Sequence, residues 1–205
     1  MDKAEMMVAL RAARVVPVVR TSTAAHAATA VRWLRDAGIR IFELTMTIPD
    51  APALIRELAQ DRDLLVGAGT VADAATAERC LAAGARFIVA PWTDPELAGP
   101  CRAAGALLML GALTPTEVRG ALAAGADVVK IFPASSVGGP AHIKALVSVF
   151  PGVAFCPTGG VEPGNVGTFL AAGAAVVGMG GALVDEKRIA AGDRLAIEAA
   201  ARAVL

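Results

Sequence analysis

The sequence predicts an α/β chain folded as a (β/α)8 barrel, and three observations carry this. Eight short apolar, often β-branched runs recur with centres about 20–25 residues apart, enough for a strand, two short loops and a helix. Five of the runs follow an Ala-rich helical stretch that ends in glycine. The few polar residues in these runs fall at their C-terminal ends, where a barrel builds its site. A doubly wound open sheet is the rival architecture. The count of eight and the placement of the polar residues favour the barrel.

The eight strands are expected at Val15–Arg20, Ile39–Thr45, Leu64–Ala68, Phe87–Ala90, Leu107–Gly111, Val128–Phe132, Val153–Pro157 and Ala175–Gly178. Each is about as long as a strand buried on both faces. The preceding helices should stop at Gly38, Gly84, Gly105, Gly125 and Gly173, because glycine accepts the left-handed conformation of a helix C-terminus. Helix starts are expected at Thr93-Asp94-Pro95-Glu96 and Thr114-Pro115-Thr116-Glu117, each with a threonine cap and a glutamate three residues on.

A length of 205 residues with no linker or composition shift favours one barrel domain over 1–205. The chain is 56% hydrophobic and 19% charged, which excludes global disorder. Its 19 basic and 19 acidic residues balance, leaving no electrostatic footprint for nucleic acid or an anionic membrane. Cys80, Cys101 and Cys156 lack metal-ligand spacing, and their odd number suits a reducing compartment. No apolar signal-peptide core follows Met1. The uncharged stretch from Pro163 to Val184 is broken by glycines into pieces too short to span a bilayer. A cytoplasmic protein is expected.

Lys130 is the most informative residue. It lies in Val128-Val129-Lys130-Ile131-Phe132, an apolar strand, where lysine is seldom found without a purpose. A lysine that snorkels to solvent is the bland alternative. An amine withheld from water and neutral for part of the time can attack a carbonyl and form a Schiff base. Glu43 sits in Ile41-Phe42-Glu43-Leu44-Thr45. Strand alternation puts Glu43 and Thr45 on one face, and Lys130 and Phe132 on one face. If both faces point inward, Glu43 can shuttle protons beside the amine. A purely structural salt bridge is the alternative there. Thr158-Gly159-Gly160 and Gly178-Met179-Gly180-Gly181 are the turns after strands seven and eight, where barrels often bind phosphate through backbone N–H groups. Gly67-Ala68-Gly69-Thr70 is a similar turn that presents a hydroxyl. Trp92 is either at the pocket mouth or a plain cover. His26 and His142 have no partner pattern, so no metal is proposed. Cys156 reads as a small core residue.

Glu43-Leu44-Thr45, Gly67-Ala68-Gly69-Thr70-Val71, Lys130-Ile131-Phe132-Pro133, Ile143-Lys144-Ala145-Leu146 and Pro157-Thr158-Gly159-Gly160-Val161, in this order and spacing, are specific. From Pro17 to Leu183 the chain resembles the 2-keto-3-deoxy-6-phosphogluconate (KDPG) aldolase family, which includes the 6-phosphogalactonate enzymes. The resemblance implies a class I aldolase on a (β/α)8 barrel, usually a homotrimer, with no metal and no cofactor. It implies that Lys130 is the Schiff-base lysine and Glu43 the general acid/base. Thr70 would help hold the pyruvyl carboxylate, and Thr158, Gly159 and Gly160 would surround the substrate and its phosphate. Three positions depart from the common pattern: Thr47 stands where many members have arginine, Gly181 where many have serine, and Leu110 where many have proline. With Thr47 in that place, anion binding falls to Arg20.

The expected substrate is therefore 2-keto-3-deoxy-6-phosphogluconate, with Thr45, Phe132, Gly180 and Gly181 also at the binding site. The alternatives are an aldolase for 6-phosphogalactonate, 4-hydroxy-2-oxoglutarate or non-phosphorylated 2-keto acids, a phosphosugar isomerase or decarboxylase, and a non-catalytic phosphosugar-binding barrel. A dinucleotide-binding domain is disfavoured, because no G-x-G-x-x-G follows the first strand.

Overall fold

The computed structural model describes residues 1–205. Eight parallel strands form the centre: β1 Val15–Val19, β2 Ile41–Thr45, β3 Leu65–Gly69, β4 Phe87–Val89, β5 Leu107–Ala112, β6 Val128–Ile131, β7 Phe155–Pro157 and β8 Val177–Met179. Each pairs with its sequence neighbour, and β8 pairs with β1 through Val15↔Val177, Val16↔Gly178 and Pro17↔Met179. The last seam, β7 to β8, is closed by a single parallel bridge, Thr158↔Gly178, and by the Ala175 N–H donating to the Phe155 carbonyl at 2.9 Å. All eight expected strands are present, with ends displaced by at most two residues.

Ten helices accompany them: α1 Lys3–Ala13, α2 Ala24–Asp36, α3 Ala51–Leu58, α4 Ala74–Ala82, α5 Ala98–Ala103, α6 Pro115–Ala123, α7 Pro140–Val149, α8 Val166–Ala171, α9 Glu186–Ala190 and α10 Arg194–Arg202. None is long and apolar enough to cross a membrane. Gly38, Gly84, Gly105, Gly125 and Gly173 all adopt positive φ after their helices, between 62° and 115°. That conformation turns the chain back toward the next strand at no Cβ cost. Thr114 caps α6 with Glu117 in a reciprocal capping box, as expected. At the other site the cap is Asp94, which accepts from the Glu96 N–H, while the Thr93 hydroxyl donates to the Gly111 carbonyl at 3.0 Å. Asp94, the residue before Pro95, takes the cap, and the threonine is free to tie the loop to β5.

Strand alternation divides the apolar residues into two cores. Phe42, Leu44, Val66, Ile88, Leu108, Val129 and Ile131 face outward to the helices. Val16, Ile41, Leu65, Phe87, Val89, Leu107, Met109, Val128 and Cys156 fill the lumen. Met6 and Leu10 of α1, both fully buried, belong to the lumen cluster and close the barrel at the N-terminal end of its strands. Asp2 and Glu5 form a capping box that starts this helix. Burial of Met6 and of Leu10 contributes about 1.5–3 kcal/mol each as the side chain leaves water. Leu110 packs outward among the helices, away from the lumen. With one end plugged by apolar side chains, only the C-terminal end is open.

Candidate active site

The lumen becomes polar at the level of Glu43 and Lys130. Glu43 pairs across to Val18 of β1 and Gly67 of β3, and Lys130 to Gly111 of β5 and Cys156 of β7. The side chains meet across the barrel, Lys130 Nζ lying 3.3 Å from Glu43 Oε1 and 3.5 Å from Oε2. Lys130 is 5% exposed and Glu43 4%. The strands around them carry glycine because side chains need the room. A Cβ on Gly69 would overlap the Glu43 carboxylate, one on Gly67 the Phe87 ring, and one on Gly178 the Thr158 hydroxyl. A Cβ on Gly111 would meet the Pro91 backbone, which crosses the barrel top there.

Above the amine opens a cavity of about 520 Å³. Lys130, Arg20, Thr70, Phe132, Thr158, Gly159, Gly160, Gly180 and Gly181 all line it. Of the residues expected at the site, two lie off its wall. Glu43 sits behind Lys130, within hydrogen-bond reach of its amine. Thr45 is fully buried, and its hydroxyl donates to the Val19 carbonyl at 3.1 Å and lies 2.7 Å from Thr47 Oγ1. Thr47 in turn accepts from Arg20 Nη1 at 3.4 Å, while Arg20 Nη2 donates to Thr70 Oγ1 at 3.0 Å. Thr45 therefore supports the rim from below. Thr70 holds φ of 56°. A β-branched residue there costs about 1–3 kcal/mol, a strain usually found where a side chain must be aimed.

The far side of the cavity is backbone. Gly159 and Gly160 both have positive φ, 92° and 72°, and a Cβ on Gly160 would collide with Ser135. The N–H groups of Gly159, Gly160, Val161, Gly180, Gly181 and Ala182 donate to no protein acceptor. Such a concave set of free N–H groups attracts anions. Gly181 has open space where a side chain would stand.

Some features escaped the sequence reading. Glu162 lines the cavity two residues after the double glycine, and is the one acidic residue on its wall. Trp92 is 45% exposed and stands outside this cavity, whereas its neighbour Pro91 lines it. The two histidines, read as unpartnered, have partners. His26 Nδ1 lies 2.8 Å from Glu186 Oε1, and His142 Nε2 lies 2.7 Å from the Leu113 carbonyl. Cys156 lies at the lumen wall 3.9 Å from Thr158 Oγ1, and burial pushes its thiol up to about 11. The thiolate required of a nucleophile is thus disfavoured.

The family model for KDPG and KHG aldolases matches residues 6–200. The 2-dehydro-3-deoxy-phosphogluconate aldolase of Treponema pallidum is 35% identical over 186 residues, covering 90% of this chain and 89% of that one. Among solved structures, KDPG aldolase from Legionella pneumophila, with pyruvate captured at low pH as a covalent carbinolamine intermediate, superposes with a TM-score of 0.85. It is 32% identical, and the match covers 97% of each chain. A cube-shaped protein cage designed by fusing symmetric oligomeric domains contains a chain that matches with a TM-score of 0.82 and 30% identity, over 93% of this chain and 70% of that one. A paired lysine and glutamate in the lumen, a rim of Arg20 and Thr70 and a far wall of free N–H groups therefore sit in a chain that belongs to the KDPG and KHG aldolase family.

Proposed function

We propose that this protein is a class I aldolase that cleaves 2-keto-3-deoxy-6-phosphogluconate to pyruvate and glyceraldehyde 3-phosphate. The observation that carries the reading is the Lys130 amine, buried at the cavity floor and 3.3 Å from a carboxylate oxygen of Glu43. An amine held by a single carboxylate can pass its proton to that partner and attack as the free base.

The steps follow from this pairing. The Lys130 ammonium gives one proton to Glu43, and the free amine adds to the C2 ketone. A second proton moves from Nζ to the new alkoxide, and Glu43 returns the first proton to that hydroxyl, which departs as water. The resulting iminium draws electrons. Glu43, directly or through a water, takes the C4 hydroxyl proton. The C3–C4 bonding pair then flows into the iminium to leave an enamine, and glyceraldehyde 3-phosphate departs. Stabilising that electron pair in the transition state is the chief catalytic work. Protonation at C3 and hydrolysis release pyruvate and restore the amine. Arg20 and Thr70 hold the pyruvyl carboxylate. The N–H groups of the Gly159–Val161 and Gly180–Ala182 turns hold the phosphate, which fixes the reacting bond over Lys130. Phe132, its ring centroid 5.8 Å from Nζ, covers the amine from one side.

The whole chain, 1–205, serves as one barrel domain, working as a homotrimer in the cytoplasm. The family resemblance supports the trimer, as do Trp92 and Phe132, exposed side by side on the rim at 45% and 41%. Light scattering should give three times the chain mass of 20.7 kDa. The activity is tested by borohydride reduction in the presence of pyruvate, followed by peptide mapping. A stable adduct on Lys130 alone, absent in Lys130→Ala, is expected. An unlabelled protein, or a label on another lysine, would reject the assignment.

A further inference from the structure

Outside the reacting centre, one cluster joins two segments that the proposed substrate must touch together. Past β1 the chain runs Arg20-Thr21-Ser22-Thr23 into α2. Past β8 it runs through the Gly180–Ala182 turn into α9, whose first residue is Glu186. Ser22 and Glu186 are 164 residues apart in the chain. Yet Glu186 Oε1 accepts from the Ser22 N–H at 2.7 Å and from the Ser22 hydroxyl at 2.7 Å, and lies 2.8 Å from His26 Nδ1. The hydrogen bonds from His26 and then Ser22 hold the Glu186 carboxyl well below the usual carboxylate range, at about 2.

Each side of the cluster is internally stiff. Thr21 is buried and its hydroxyl donates to the Thr23 carbonyl at 2.8 Å, and Thr23 caps α2. On the other side the Leu183 and Val184 N–H groups both donate to the Gly180 carbonyl at 2.9 Å, which ties the glycine turn to the start of α9. The β1–β8 ladder itself ends at Pro17↔Met179, one residue before this turn. Beyond that point Leu183 and Val184, buried in the core, anchor the turn from below, and Glu186 is the hydrogen-bonded side-chain link from its far end to the β1 loop. Arg20 is held separately, by Thr47 and Thr70. Losing the link would therefore let the β8 turn shift about the buried Leu183 and Val184 and leave the carboxylate end of the cavity in place.

We infer that Glu186 is a positioning residue: through Ser22 and His26 it holds the Gly180–Ala182 turn at the distance from Lys130 that a substrate with an anionic group at its far end requires. The inference rests on the aldolase reading above. It also makes a distinction within that reaction. Pyruvate fills only the inner part of the cavity and needs no far wall, whereas the full-length phosphorylated substrate needs both ends placed together.

The test compares Glu186→Ala with the unaltered protein in two assays. For cleavage of 2-keto-3-deoxy-6-phosphogluconate, KM is expected to rise about tenfold, a modest fraction of the hundredfold that misplacement by 1 Å can cost. Exchange of pyruvate methyl protons with deuterated water should proceed at the unaltered rate. Glu186→Gln, which keeps an acceptor oxygen for Ser22, should recover part of the loss. Ser22→Ala, which removes one of the three contacts at an exposed loop, should raise KM in the same direction by less. An unchanged KM in Glu186→Ala, or a parallel fall in pyruvate exchange, would overturn the inference. Failure of the aldolase reading would show separately, as absence of the borohydride adduct in the unaltered protein.

Discussion

Gly69→Ala puts the geometry of the catalytic pair to a direct test. Gly69 lies in β3 opposite Thr45, and its φ is outside the positive range, so alanine fits the backbone. The new methyl has no space. Its carbon would stand 2.6 Å from both Cγ and Cδ of Glu43. Carbon atoms pack at about 3.5–4 Å, so Glu43 must retreat by about 1 Å. Lys130 holds the carboxylate on one side and buried lumen walls surround it, so the retreat lengthens the Lys130–Glu43 contact beyond hydrogen-bonding range. A displacement of that size costs about a hundredfold in rate, or about 2.7 kcal/mol of transition-state stabilisation. The stability cost is smaller. Overpacking destabilises by about 1–3 kcal/mol. The reduced freedom of the unfolded chain returns about 0.4–1 kcal/mol. Tm should therefore fall by only a few degrees, about 2–4 °C per kcal/mol for a chain of this size. The assay is pyruvate methyl proton exchange by NMR, with borohydride trapping as a control. Trapping at Lys130 should persist while exchange slows. A folded variant that exchanges at the unaltered rate would refute the argument that this glycine exists to seat Glu43.

Glu43→Gln should slow pyruvate proton exchange by about a hundredfold or more, because the amide neither gives nor takes the proton. Exchange near the unaltered rate would remove Glu43 from proton transfer. Arg20→Ala should raise KM for acidic substrates, and should also release the Thr70 hydroxyl that it holds at 3.0 Å. An unchanged KM would dismiss Arg20 as the carboxylate partner. Burial raises the thiols of Cys80, Cys101 and Cys156 from near 9 to about 11. The folded state therefore holds these protons more tightly than the unfolded chain does. Their contribution to stability is complete below pH 9 and is lost as pH rises from 9 through about 11. The urea midpoint should fall over that window, and less steeply in Cys156→Ala. Equal slopes in the two proteins would contradict the burial argument.

Local chemistry was legible along the chain. A helix that ends in glycine and leads into a β-branched run needs a left-handed residue there whatever the rest of the fold does, and all five such glycines have it. Period-two alternation put Glu43 with Thr45 and Lys130 with Phe132 on one face of each strand, because a strand's pleat is set by its own backbone; closure of the barrel then turned those faces into the lumen. Read without their neighbours, however, Gly67, Gly69, Gly111 and Gly178 suggest only turns or bends. Their purpose is the volume taken by Phe87, Glu43, the Pro91 backbone and Thr158, each belonging to another strand or loop. Thr45 shows the same limit. It has the parity of a lumen residue, but its hydroxyl is satisfied by the Val19 carbonyl and Thr47.

The sequence by itself determined the number and order of βα units, the strand faces that carry Lys130 and Glu43, and the glycine turns after the seventh and eighth strands. These depend on residues within one strand or one turn, where backbone sterics and side-chain period decide the outcome. Tertiary structure alone decided the 3.3 Å meeting of Lys130 with Glu43, the closing bridge Thr158↔Gly178, the plug of Met6 and Leu10, and the link from Ser22 to Glu186. Each joins groups far apart in the chain, and their separation in space is set by barrel closure, a property of all eight strands together.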